Sequence, residues 1–372
     1  MLRIIRTLLI VILAIGGVLP GLSNAQDDQA AGAVFVMTNA ADKNEIIAYK
    51  RAGDGSLSDE HRFATGGRGS GGTTDPLASQ GSLTLTEDHS FLLAANAGTA
   101  EISSFRVHGA TLQLADVVPC GGSKPVSVVQ HRDFVYVVNA GGNSNVVGFR
   151  LAGNGKLTQI PHSTSFLSTS NSGPGSVAFS PDGQFLVVTE KATNNIDVFR
   201  VQPNGRLGPI VINSSSGAGV FALLFAPNGA ALASQTGPPA PAVSSYAVES
   251  NGTLSAISAN VPTLGTATCW QAVTPDGRFV YTANSGSSSI SGYSIGKNGA
   301  LTPLPGTVVA TLPTGSIDLD TTISADGKFL YTLNSGTGTI GIFGIDADGT
   351  LSSLGEKAGL QASSGFNGIA AI

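Results

Sequence analysis

Glu190 and Lys191 are adjacent at a position where most matching segments of this 372-residue chain carry asparagine, namely Asn39, Asn96, Asn139, Asn284 and Asn334. A carboxyl group can give or take a proton during a reaction, and a neighbouring ammonium group can fix an anion. Gln235 is a second departure at the same position. Gln80, Lys124, Cys269, Trp270, Asp318 and Asp320 stand at the starts of other short apolar runs, and Arg68 lies in the glycine-rich stretch 66–72 (GGRGSGG). Glu190 has two readings: an acid or base that touches a ligand, or half of a local ion pair, because structural pairs perturb titration as catalytic ones do.

The elements that must hold these residues follow from a repeated text. The segment from Gly173 reads GPGSVAFSPDGQFLVVTEKATNNIDVFRVQPNGRL; it recurs from Cys269 and Asp318 and, more loosely, from Gln80, Pro125 and Val220. Asp276 and Asp326 are 50 residues apart, and Asp182 and Asp276 are 94 apart, close to two periods. Self-similarity at about 40–50 residues with strand patterning predicts one four-stranded propeller blade per repeat. In the copy at Gly173, residues 176–180 read as an inner strand, Pro181-Asp182-Gly183 as a turn, and residues 185–189, 196–201 and from 206 as the second, third and fourth strands. The first repeat, from Val34 to Asp59, lacks an inner strand, and the final octapeptide GFNGIAAI resembles one. The expected fold is all-β: a seven-bladed propeller over 34–372 with four-stranded antiparallel blades, its ring closed by pairing of the C-terminal strand with the N-terminal blade. The Pro-Asp-Gly turns then share one face. Inner-strand starts, second-strand ends and the long connection 61–79 share the other, where binding residues are expected.

On this frame the candidates sort. Asp88, Asp182, Asp276 and Asp326 recur in one turn position and read as turn caps, and the recurring asparagines as caps of strand-end loops. Trp270, the one tryptophan, can stack on a flat ligand or plug the central hole, and its burial value favours the plug. Asp318 and Asp320 point the same way from one strand, with loop capping favoured over a cation or ligand site. The stretch 66–72 lacks the Gly-Lys-Ser/Thr ending of a phosphate loop and reads as a flexible lid from which Arg68 reaches an anion. The five histidines are scattered, and no nucleophile elbow or metal-ligand cluster is present in the text, so neither cofactor nor metal is expected.

Charged residues make up 12% of the chain and the net charge is −5, which excludes the clustered basic surface a nucleic-acid partner requires. Arg3 and Arg6, the apolar stretch 7–19 and Ser23-Asn24-Ala25 form the pattern of a signal peptide over 1–25, followed by a loose tail over 26–33. The mature chain is expected to be exported, periplasmic or extracellular, without a membrane span. Cys120 and Cys269 fall on distant blades, too far apart for a disulfide. A closed ring needs no mate, so a monomer is expected.

The texts GPGSVAFSPDGQFLVVTEKATNNIDVF and TPDGRFVYTANSGSSSISGYSIGKNGAL resemble the lactonase-type seven-bladed propellers, which include 6-phosphogluconolactonase-like proteins and the fungal carboxymuconate lactonizing enzymes. The resemblance covers essentially the whole mature chain and implies metal-independent hydrolysis or formation of a lactone of a sugar acid or aromatic-derived acid. In the carboxymuconate enzymes it implies a His at one inner-strand start, an Arg at the next and a Glu at the end of that blade's second strand; these positions carry Val126, Gly175 and Glu190 here. Glu190 is then the expected catalytic group, with Lys191, Lys124, Gln80, Gln235, Trp270 and Arg68 as substrate-binding candidates. The missing His and Arg set a rival beside it, a non-catalytic propeller that binds a small molecule, glycan or protein.

Overall fold

The alternation within each repeat builds a blade. In the fourth repeat, strands Pro174–Phe179, Phe185–Glu190, Asn195–Val201 and Leu207–Ser214 pair antiparallel in that order. The first two are buried along their whole length and the outermost is half exposed, which is why the inner text is apolar and the outer text mixed. Asp182 caps the turn between the first two strands. Its Oδ1 accepts from the Ser180 hydroxyl at 2.6 Å and the Gln184 N–H at 3.0 Å, and Gly183 supplies φ +71°. Asp276 and Asp326 repeat this with Thr274 and Arg278, and with Ser324 and Lys328.

A computed structural model describes residues 31–372, and within them seven antiparallel sheets follow one another in sequence. Six have four strands; the third has its outer strand split into Leu157–Gln159 and Ser165–Phe166, both paired with Asn145–Leu151. The innermost strands are Leu83–Leu85, Pro125–His131, Pro174–Phe179, Val220–Phe225, Thr268–Val273, Asp318–Ile323 and Ile369–Ala371 for blades two to seven and one. Ring closure is as expected from the terminal octapeptide: Val34, Phe35 and Val36 lie opposite Ala371, Ala370 and Ile369. Gly32–Met37, the strand they pair with, begins two residues before the expected boundary at 34. The expected signal peptide, 1–25, and the start of the tail lie outside the described residues. Among the described residues no helix is long and apolar enough to cross a membrane. Cys120 and Cys269 are both free and buried.

Candidate functional site at the loop-face mouth

The long connection after strand Leu57–Ala64 positions the site. Its glycine-rich part is fastened to the first two blades by its main chain: Gly69 and Gly71 N–H donate to Ala40 and Asn39 carbonyls, and Gly98 N–H donates to the Arg68 carbonyl at 3.0 Å. Gly69 and Gly98 have no alternative, since a Cβ on either would stand 2.1 Å or less from a neighbouring backbone atom or its carbonyl oxygen. Arg68 itself is exposed. The expected lid is thus tied along the rim.

Beyond the rim the chain dives into the mouth. Asp75 Oδ1 accepts from Asn367 of the first blade at 3.1 Å, the Ser79 hydroxyl donates to Val126 O in the third at 2.7 Å, and Lys191 Nζ of the fourth donates to Ala78 O at 2.6 Å. Trp270 Nε1 of the sixth donates to Ser79 O at 2.9 Å. Gln80 completes the closure with a two-way bridge across the ring: its Nε2 donates to Gln271 O at 2.6 Å and its Oε1 accepts the Gln271 N–H at 3.0 Å. Trp270 is fully buried and meets Phe221 edge-on at 4.8 Å. Its ring is enclosed with no open face for a ligand to stack on, against a stopper made by the chain itself.

Five titratable groups gather at this stopper. Lys191 also donates to Pro174 O at 2.8 Å and lies over the Phe221 ring at 5.3 Å. Burial lowers its pKa to about 8, against the opposing field of Asp75. Burial raises the Asp75 carboxyl, while its bonds to Asn367 and Ala78 and the fields of Lys191 and Lys124 hold it down in part. Lys124 stands exposed at the entrance. Cys269, desolvated and facing the charges of Asp75 and Asp318, is held as a thiol. Asp318 is buried with neither carboxyl oxygen paired, and burial pushes it up to about 8.

Glu190 is not among them. Its carboxylate is enclosed on the flank of blade four by the segment arriving from blade three: Oε1 accepts the Ser168 N–H at 2.9 Å, and Oε2 accepts the hydroxyls of Ser168 and Thr193. Asp197 beside it has its pKa raised to about 8 by burial and by Glu190, while Glu190 stays below the ordinary range through these bonds. Gln235 is likewise enclosed, bonded to Ser215, Tyr246 and Ser244. Lys191, Lys124, Gln80 and Trp270 therefore meet at the mouth, whereas Glu190, Gln235 and Arg68 do not. Val126 is wholly buried, and a Cβ on Gly175 would stand 2.1 Å from Phe221 O, so the implied His and Arg have no equivalents. Sequence reasoning missed Asp75, which lies outside the repeated text, and Asn367, which stands in the closing octapeptide at the place of Gly175. Asp197 had a signal, because it replaces the serine found at the matching positions 103, 244 and 291.

A family model described as lactonase, 7-bladed beta-propeller, matches residues 31–166, 125–224 and 222–318. The chain belongs to this family. No curated protein matches it. Among solved structures it is similar to a candidate 6-phosphogluconolactonase of Bacteroides uniformis, at 19% identity and TM-score 0.69, with 92% of this chain and 100% of that one covered. The periplasmic gluconolactonase PpgL of Pseudomonas aeruginosa superposes equally, at 19% identity and TM-score 0.69 over 91% and 99% of the two chains. At these identities the likeness is one of fold.

Proposed function

We propose that this lactonase-family propeller is an exported enzyme that opens the lactone of an anionic sugar acid or aromatic-derived acid at its loop-face mouth. The observation that carries the reading is one half-buried carboxyl, Asp75, held by Asn367 at 3.1 Å in the same segment that Lys191 grips through Ala78 O, and lying in the fields of Lys191 and Lys124. Asp75 takes a proton from water as the oxygen attacks the lactone carbonyl; Lys191 faces the developing oxyanion, and Lys124 holds the substrate's own negative charge. Asp75 then returns the proton to the departing ring oxygen. Glu190, enclosed by Ser168 and Thr193, acts as a positioning residue for the link between blades three and four. Export is supported by the leader-like text ahead of residue 26 and by a periplasmic neighbour of the same fold.

The test is turnover of glucono-, 6-phosphoglucono- and muconolactones by the chain from residue 26, compared with Asp75→Asn, Lys124→Ala and Glu190→Gln. Asp75→Asn is expected to lower kcat at least about 100-fold, the usual scale for loss of a general base, and Lys124→Ala to raise KM. Turnover of no lactone, or equal turnover by Asp75→Asn, rejects the reading. The second reading, a binding propeller without catalysis, is favoured by Gly175, where Phe221 O leaves no room for the implied Arg. It predicts saturable binding of the same acids, weakened by Lys124→Ala, with no turnover.

A further inference from the structure

Each of the seven innermost strands pairs on one side only, so its free edge faces a central channel. The channel is a cavity of about 530 Å³, inside the usual range of small-ligand sites, roughly 300–1,000 Å³. Gln80 and Gln271 close its loop-face end. Its other end reaches Glu87, His89 and Pro181 beside the turns, so the turn face is the way in.

The wall selects by charge. Among the described residues that line it there is no Lys or Arg, so an anion meets no counter-charge. Glu87 at the rim is already bound to His131 at 2.6 Å. Asp320, the acid in the wall, accepts the N–H groups of Thr321 at 2.9 Å and Ile369 at 3.2 Å, and burial raises it to about 8. Both of its oxygens are taken up by these main-chain donors within the wall, so a cation meets no free carboxylate oxygen there. Leu224 and Ile323 lie half-buried on the wall beside Thr322 and the free strand edges. Apolar patches next to main-chain N–H and C=O groups suit a ring with C–H faces and hydroxyls around its rim.

We propose that the channel is a second ligand site, entered from the turn face, for an uncharged hydroxyl-rich ring of monosaccharide or disaccharide size. It is separated from the mouth by the Gln80 bridge and does not depend on the lactonase reading. The test is calorimetric titration of the chain from residue 26, at pH 7, with D-glucose, maltose and myo-inositol, against gluconate and inorganic phosphate. At least one neutral probe is expected to bind saturably and neither anion to compete with it. Leu224→Trp, which fills the channel from one wall, is expected to weaken that binding at least about tenfold, and Asp75→Asn to leave it unchanged. Thr322→Phe on another wall gives the same readout should the tryptophan variant fail to fold. Absence of saturable binding by every neutral probe, tighter binding of an anion in the channel, or binding indifferent to both filling variants overturns the proposal.

Discussion

Glu190 and Asp197 hold in the fourth blade the place that an amide and a hydroxyl hold in its neighbours. Asn96 Nδ2 donates to Ser103 Oγ at 2.7 Å in the second blade, and Asn284 Nδ2 to Ser291 Oγ at 2.8 Å in the sixth. Each pair meets a residue from the preceding blade's outer connection: the Thr65 hydroxyl donates to Asn96 at 2.7 Å, as the Ser168 hydroxyl does to Glu190. Blade four has exchanged both partners at once, and its two carboxyl groups share the Ser168 N–H, which donates to Glu190 Oε1 at 2.9 Å and to Asp197 Oδ2 at 3.3 Å. The repeat is broken at Glu190, but its geometry is kept.

Burial, with the charge of Glu190 beside it, raises the Asp197 carboxyl and fixes the sign of a pH dependence. The Asp197 pKa is about 8 in the folded chain, far above the roughly 3.9 of a free aspartate. From about pH 4 to 8 the unfolded chain gives up a proton that the folded chain keeps, so stability falls as pH rises through this window. Asp318 and Asp320, also raised to about 8, act in the same direction. The melting temperature is expected to drop by several degrees between pH 5 and 8.5. Asp197→Asn, which keeps the shape of the side chain without titrating, is expected to lose part of that slope and to gain on the wild type as pH rises. A gap that is constant across pH would remove the protonated Asp197.

The stopper predicts a separable effect at Trp270. Trp270→Phe keeps much of the apolar filling but removes the indole donor to Ser79 O, a loss of about 1 kcal/mol plus a small cavity. Trp270→Ala is expected to cost about 3–5 kcal/mol. In both, amides of residues 78–80 are expected to exchange faster with deuterium than those of the terminal closure strand. Uniform acceleration over the whole ring would mean that Trp270 supports the core generally and does not hold the stopper.

Gly175 is set by a close approach of backbone to backbone. Gly175→Ala places a methyl carbon 2.1 Å from Phe221 O and 2.9 Å from Thr189 Oγ1, and is expected to destabilise by about 2 kcal/mol or more, the upper part of the overpacking range. Gly208→Ala, whose new carbon lies 3.5 Å from its nearest neighbour, is the matched control and is expected to be near neutral. Denaturant midpoints of the two variants decide it. Equal midpoints would show that the fourth and fifth inner strands move apart freely, and that an Arg at 175 is sterically open.

The ring, its closure and the turn aspartates were legible because each is written several times: Asp182, Asp276 and Asp326 repeat one local bond pattern, and a period exposes it. The mouth was legible only in part. Lys191, Gln80 and Trp270 departed from their repeats and are joined through the 78–80 segment, with Lys124 exposed at the entrance. Glu190 departed equally, yet its compensation at Asp197 lies seven residues away on the next strand, where single-position comparison does not look. Asp75 lies in unrepeated text and meets Asn367, in the closing octapeptide, at 3.1 Å across 292 positions, which no local pattern encodes.

Closure at the termini gives the last prediction. The Arg51 guanidinium is nearly wholly buried; Nε donates to Ile372 O at 3.1 Å, Nη2 pairs with Asp326 at 3.2 Å, and the group lies over Phe329. It joins the last residue, the seventh blade and the first. Arg51→Met is expected to be milder than Arg51→Ala, since methionine refills the apolar space while both remove the charge. Deleting 369–372 is expected to cost more than either, because it exposes the edge of Gly32–Met37 and unpairs Val34, Phe35 and Val36 at once. The deletion should lower the melting temperature by about 10 °C or more and make the chain self-associate in sedimentation. A truncated chain as stable and monodisperse as the full one would mean that the ring is held by blade-to-blade packing alone, without the strand exchange at its seam.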